Sequence, residues 1–509
     1  MNCKPLVVTL ALLLPHCLGA QTDFARARGY LNEAVTQMGG EAALRSLKTV
    51  RFEAVGHRNM LEESERPEGP YIVEYDRITQ LRDLEHGRWK QTTAMKIGPQ
   101  PEFTSTVVAA DGVAKTAFGP QFSPGSADDL QRAAENLELG PERVLFTALA
   151  ASDLRAEADT VLQSVPHHVV YFTWKTLPVR IFLNAYTALP TAVEWKSAYP
   201  SEMFWSSWGD VTNRLYYSFW WLCPEGIHYP LQWDWMGNGL PDHVMIITDI
   251  AVNVDFPADS FAISADEKAA FEKRRGLTLD DRPLGNPNRP AVEVAKDVVH
   301  IPGSWNVTLV RQTDGVVIVE APISSGYSVK VLAEAEKRWP GIPIKGVVST
   351  SDSWPHIAGV REYVARGIPV YAPDLNISIL SRLVSAPRSK YPDALAKHPK
   401  KPDFHPVSGK TLLGTGANRI EIYPLRGETS ERQMMVYFPE YKLLYGSDPF
   451  QWDGQQYFYP QTVWELIHAV EREKLSVDTF FMMHIGPTKW SELPKAIEQA
   501  EKPPAANPS

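Results

Sequence analysis

The stretch Thr278–Pro290, TLDDRPLGNPNRP, constrains the fold more than any other part of the chain, because it offers almost nothing to bury. Its prolines, glycine, asparagines and charges have the composition of an inter-domain linker. A chain of 509 residues is also too long for one hydrophobic core. The expected organisation is therefore a first domain over 21–277, a linker over 278–290, a second domain over 291–500 and a disordered tail over 501–509. With 44% apolar and 22% charged residues, the chain reads as globular. A net charge of −9 supplies no field that would gather nucleic acid, so none is expected as a partner. No apolar run reaches the roughly 18 residues of a membrane span.

Residues 1–20 have the pattern of a cleavable secretory signal: Lys4, the apolar stretch Leu6–Leu14, and small residues at Leu18-Gly19-Ala20 before a cut at Gln21. The expected location is periplasmic or secreted. Cleavage removes Cys3 and Cys17 and leaves Cys223, which cannot pair within the chain. Its apolar setting, Phe219-Trp220-Trp221-Leu222, predicts a buried thiol.

The first domain opens with a helix over about 23–38, stopped by Gly39-Gly40, and a short one over 41–47. Strand-like segments follow at 50–55, 168–175, 179–184 and 244–252, with helices near 127–137 and 141–151. Many strands and few helices predict a β-rich, curved sheet or half-barrel around an apolar groove. Six tryptophans fall between Trp205 and Trp235, fit either for sheet core or for lining a groove that holds a greasy or sugar-like ligand. Gly39-Gly40 with Leu47-Lys48-Thr49-Val50, the run Pro224–Pro230, and Asn238-Gly239 resemble the half-barrel of outer-membrane lipoprotein-sorting proteins.

After the seam the rhythm becomes alternating β and α. Strands are expected at 306–311, 315–320, 344–349 and 369–372, with helices at 327–339 and 358–366. A hairpin at 434–438 and 442–445, a helix at 460–474 and a last strand at 479–483 complete the pattern. Ligands in such layers sit on loops at strand ends. The loops here are Ser349–Gly359, Tyr445-Gly446-Ser447-Asp448 and Met483-His484-Ile485-Gly486-Pro487, with Glu320 ending an early apolar strand. In order and spacing these elements resemble the metallo-β-lactamase superfamily over roughly 292–500. That resemblance implies an α/β/β/α sandwich, so the whole chain is expected to be α+β.

The resemblance also implies a metal site, but with departures. The family's His-x-His-x-Asp-His signature, aligned on Thr350 and His356, becomes Ser351, Ser353 and Pro355 at three of its positions. The next family histidine falls at Glu428 or Thr429. His356, Asp448 and His484 remain, enough for one open site with three protein ligands, and Glu428 could make a fourth. Imidazole and carboxylate suit zinc first, and also iron or manganese, whereas serine hydroxyls are poor ligands. Asp448 and Glu428 are the candidates for catalytic roles, with Asp352 a further acceptor in place of the lost aspartate. Each of these side chains also has an ordinary structural use in caps and turns. Two readings stay open: a hydrolase of a small molecule carrying at most one divalent ion, or a metal-free protein binding a small or lipid-like ligand. The histidines His398 and His405 lie in a basic excursion, Arg388–Pro406, expected to be solvated.

Overall fold

The computed structural model describes residues 14–63, 68–98, 101–448 and 460–500. Most of the expected signal, residues 1–13, and the tail 501–509 lie outside them. The first described helix, Leu14–Gln37, runs without interruption through the expected cleavage position.

The alternation read at 50–55 belongs to a longer strand, Thr49–Asn59, with Val50, Phe52 and Ala54 buried. This strand pairs antiparallel with Val73–Asp83 on one side and Leu240–Val252 on the other, joining both ends of a 14-stranded sheet. The chain walks outward from it to Phe122–Pro124, passes through helices Ala127–Glu138 and Val144–Leu149, and returns from the opposite edge. Ser126 and Asp129 form a reciprocal capping box that fixes the start of the first of these helices. Ala27, Leu31, Ala34 and Val35 lie at helical spacing and join Leu137, Val144, Phe172, Val179 and Trp233 in one core. Cys223 is buried in the same core.

Contacts divide the chain into two compact units. The first holds the chain up to Asn59, Val73–Ser197 and Val211–Gly276; the second holds Met60–Ile72, Ala198–Asp210 and everything from Leu277. A single cut in the sequence does not reproduce this division, because two excursions between strands of the large sheet belong to the second unit.

The seam also differs from the expected linker. Thr278 caps a short turn, Leu279–Asp281, and Leu279 is buried with its amide on the Pro200 carbonyl. Asp280 accepts from Gly326 N–H, Lys330 Nζ reaches the carbonyls of Asp280 and Arg282, and Arg289 reaches that of Gly303. Backbone carbonyls, the Asp280 carboxylate and one leucine hold this segment, so a composition poor in apolar residues did not reveal its anchoring.

The second unit contains two sheets. In the seven-stranded one, Gly315–Val319, Ile344–Val348, Val370–Pro373 and Phe404–Val407 run parallel. In the six-stranded one, Leu443–Tyr445 and Thr479–Phe481 are the parallel pair. Val310, Val317, Val319 and Val348 of the first sheet share a core with Ile422, Val436, Phe438 and Phe481 of the second. A separate core joins Tyr423, Met435 and Leu444 to Val463, Leu466 and Val470 of the helix Pro460–Arg472. The near-continuous apolar strands of the first sheet are what burial on both faces demands.

The excursion Arg388–Pro406 is only partly the solvated loop expected. Asp393 takes a bidentate grip from Arg361 at 2.6 and 2.9 Å, with Arg388 Nε at 3.3 Å. Burial, followed by the like charge of Arg361, pushes the Arg388 guanidinium down to about 10. Lys400 and Lys401 are exposed, as the composition suggested.

Candidate metal centre

Three strands deliver the candidate ligands, each from the loop at its C-terminal end. Ile344–Val348 leads into Ser349–Ser353 and the helical turn Trp354–Ile357, which carries His356. Leu443–Tyr445 leads to Gly446-Ser447-Asp448, and Thr479–Phe481 leads to His484. Leu443–Tyr445 and Thr479–Phe481 are parallel neighbours, so the loops of Asp448 and His484 leave from the same end. One ligand atom from each of His356, Asp448 and His484 lies within 4.8 Å of the others.

Asp448 stands between the two imidazoles: Oδ2 is 3.4 Å from His356 Nε2 and Oδ1 is 3.1 Å from His484 Nε2. The ring centroids of the histidines are 5.7 Å apart, and Trp305 presents its ring at 6.4 Å from His356 and 6.1 Å from His484. Exposure is graded, with side chains 2%, 9% and 24% accessible for His356, Asp448 and His484, so the site opens on the His484 side. His484 is held by its Nδ1 against the Ser304 carbonyl at 3.0 Å, in a turn closed by Met482 N–H on the Ile485 carbonyl.

Electrostatics follow from burial and from the central carboxylate. Burial pushes His356 down to about 4, against the pull of Asp448. Burial acts on His484 in the same sense, but the Asp448 charge, its hydrogen bond and that to the Ser304 carbonyl together hold His484 above its ordinary value. Burial would raise Asp448, yet the two imidazoles keep it below the ordinary carboxylate value. The carboxylate is thus biased toward its ionised form, His356 toward its neutral form and His484 toward its cation.

The neighbouring positions carry hydroxyls bonded to one another. Thr350 Oγ1 donates to Glu320 and lies 2.7 Å from Ser447 Oγ, and Ser351 Oγ accepts from Ser353 N–H at 3.1 Å. Glu320 is fully buried at a positive φ of 81°, bonded also by Tyr445 Oη at 3.0 Å, and burial raises its carboxyl to about 8. Pro355 uses its carbonyl to accept from Ile323 N–H.

Glu428, expected as a fourth ligand and a catalytic group, is exposed and stands outside the group of three, its own amide bonded to Glu465 Oε1. The loop Glu428–Ser430 folds around the Glu465 carboxylate, which takes the contacts that a site-facing turn would have directed inward. Asp352 is buried with Arg432 Nε 3.9 Å away and is likewise not in the group. The sequence reading missed Trp305 and the Ser304 carbonyl. A lone tryptophan before a strand and a backbone oxygen carry no motif.

No protein-family model and no curated protein sequence matches the chain. Among solved structures, a metallo-β-lactamase from Pontibacter korlensis is similar at 16% identity and TM-score 0.33, covering 42% of this chain and 99% of that one. A metallo-β-lactamase from Erythrobacter litoralis is similar at 15% identity and TM-score 0.32, over 42% of this chain and 95% of its own. A sec-alkylsulfatase from Pseudomonas sp. is similar at 16% identity and TM-score 0.31, over 43% of this chain and 44% of its own.

Proposed function

We propose that the protein is an exported, metal-dependent hydrolase of a small molecule, built on an α/β/β/α metallo-β-lactamase-like sandwich and carrying one divalent ion. The observation that carries this reading is the meeting of His356, Asp448 and His484 from three strand-end loops. Two imidazoles and a carboxylate are a fitting set for zinc, and three protein ligands leave a position open, as catalytic sites require. When bound, the ion supplies Lewis acidity. The chain's own groups do the rest. Asp448 faces both imidazoles, and His484, the most accessible of the three, marks the side on which the site meets solvent. Trp305 walls one side with an apolar face. Export to the periplasm or medium rests on the pattern of residues 1–20.

The second reading is a small-molecule or lipid-binding protein with a half-barrel first domain. It is favoured by the serines at 351 and 353 and by a cavity of about 670 Å³ in the first unit, lined in part by Leu44, Phe146, Trp174 and Arg45. Elemental analysis of the purified protein separates the two readings. About one metal per chain, with chelator-sensitive hydrolysis in a screen of esters, lactones and β-lactams, is the expected result. Metal-free protein whose stability ignores chelation would leave the binding reading in its place.

A further inference from the structure

The two imidazoles of the triad are steadied by different means. His484 has the Ser304 carbonyl on its second nitrogen, whereas His356 Nδ1 is buried with no hydrogen-bond partner among the described residues. Metal-binding histidines ordinarily take their ring orientation from such a partner, and its loss costs about 10–100-fold in affinity. For His356, orientation has to come from the backbone that carries it.

That backbone is pinned on several sides. The turn Trp354–Ile357 is a single helical turn too short to hold itself. Ile323 N–H donates to the Pro355 carbonyl at 2.7 Å, Trp354 N–H to the Glu62 carbonyl at 3.3 Å, and Ser207 Oγ to the Trp354 carbonyl at 3.2 Å. The Trp354 ring, almost wholly buried, takes the edges of Trp205 and Trp208 at 5.0 and 5.1 Å, with interplanar angles of 69° and 80°. Such edge-to-face pairs stabilise the ring beyond area burial. Arg382 lies over Trp208 at 4.9 Å, and Arg388 Nη2 donates to the Ser207 carbonyl at 2.6 Å. Gly209, at a φ of 69°, lets the excursion leave against Pro387 and Arg388, where a Cβ would collide with both.

We propose that Trp205 and Trp208 are positioning residues for His356, acting through Trp354. The effect on ion binding rests on the metal reading above; the effect on the loop does not. The test compares Trp205→Ala/Trp208→Ala, Trp208→Phe and Ile497→Ala, the last a core truncation elsewhere in the unit. Three quantities are read: the cobalt(II) absorption spectrum, cobalt affinity by chelator competition, and amide hydrogen exchange over 351–357. The double variant is expected to lose about tenfold in affinity, shift the visible bands and exchange faster in the loop. Trp208→Phe keeps a ring edge and should retain the parental spectrum. Ile497→Ala should lower Tm while leaving spectrum, affinity and loop exchange unchanged. An unchanged spectrum and loop exchange in the double variant would overturn the proposal. If the parent takes up no cobalt, the metal reading fails and loop exchange alone decides this one. Should the double variant not fold, Trp208→Ala takes its place with the same criteria.

Discussion

Two groups of side chains lie side by side at the strand ends, and they solve opposite problems. His356, Asp448 and His484 bring an ionised carboxylate between two imidazoles. Next to them, Thr350 bonds Ser447 and the Glu320 carboxyl, and Ser351 accepts from the Ser353 amide. The first group has charge and lone pairs to offer an ion; in the second the Thr350, Ser351 and Ser447 hydroxyls are engaged in internal bonds, and a hydroxyl keeps its proton at neutral pH. The difference teaches that hydroxyls can line a buried wall beside charged groups without offering ligands, provided they close their own hydrogen bonds.

Removing one imidazole breaks the comparison most directly. His484→Ala or His356→Ala is expected to lower metal content from about one per chain to near zero by elemental analysis. Glu320→Gln gives the next largest effect, read as stability against pH. The folded carboxyl titrates near 8, above its ordinary value of 4.5, because burial disfavours the charge. A group raised in this way makes the parent lose stability as pH climbs from about 4.5 to 8, at up to about 1.4 kcal/mol per unit. The glutamine variant lacks that loss, so its denaturation midpoint should gain on the parent's through this window; parallel curves would show that Glu320 is ionised throughout. Ser351→Ala and Ser353→Ala should keep metal stoichiometry unchanged, and a loss of metal in either would place the hydroxyls among the ligands. The smallest effect is expected for Glu428→Gln, with metal content and stability equal to the parent's, since its side chain is exposed.

The second unit was far more legible than the first. Its strands at 315–319, 344–348 and 370–373 are short, β-branched and apolar, and the loops after such strands announce themselves by serine, aspartate and histidine. The three residues singled out for ligation come together, while Glu428 stands outside that group, on a loop whose amides bond the Glu465 carboxylate 37 residues downstream. In the first unit, Val73–Asp83 escaped notice because its buried face carries Glu74, Asp76, Gln80 and Arg82. Arg82 is buried against Glu142 at 2.9 Å, and no hydrophobic alternation marks a strand whose inner side is ionic. The excursions at 60–72 and 198–210 were invisible for a different reason, since what assigns them to the second unit is tertiary contact.

Those excursions change what it means to excise the second unit. A fragment begun at Leu277 would leave Glu62, Trp205, Ser207 and Trp208 behind and expose the indole of Trp354 beside His356. Transplanting this half into another protein therefore requires three separate pieces of polypeptide, and a recombination event at the proline-rich boundary would carry away a site without its brace.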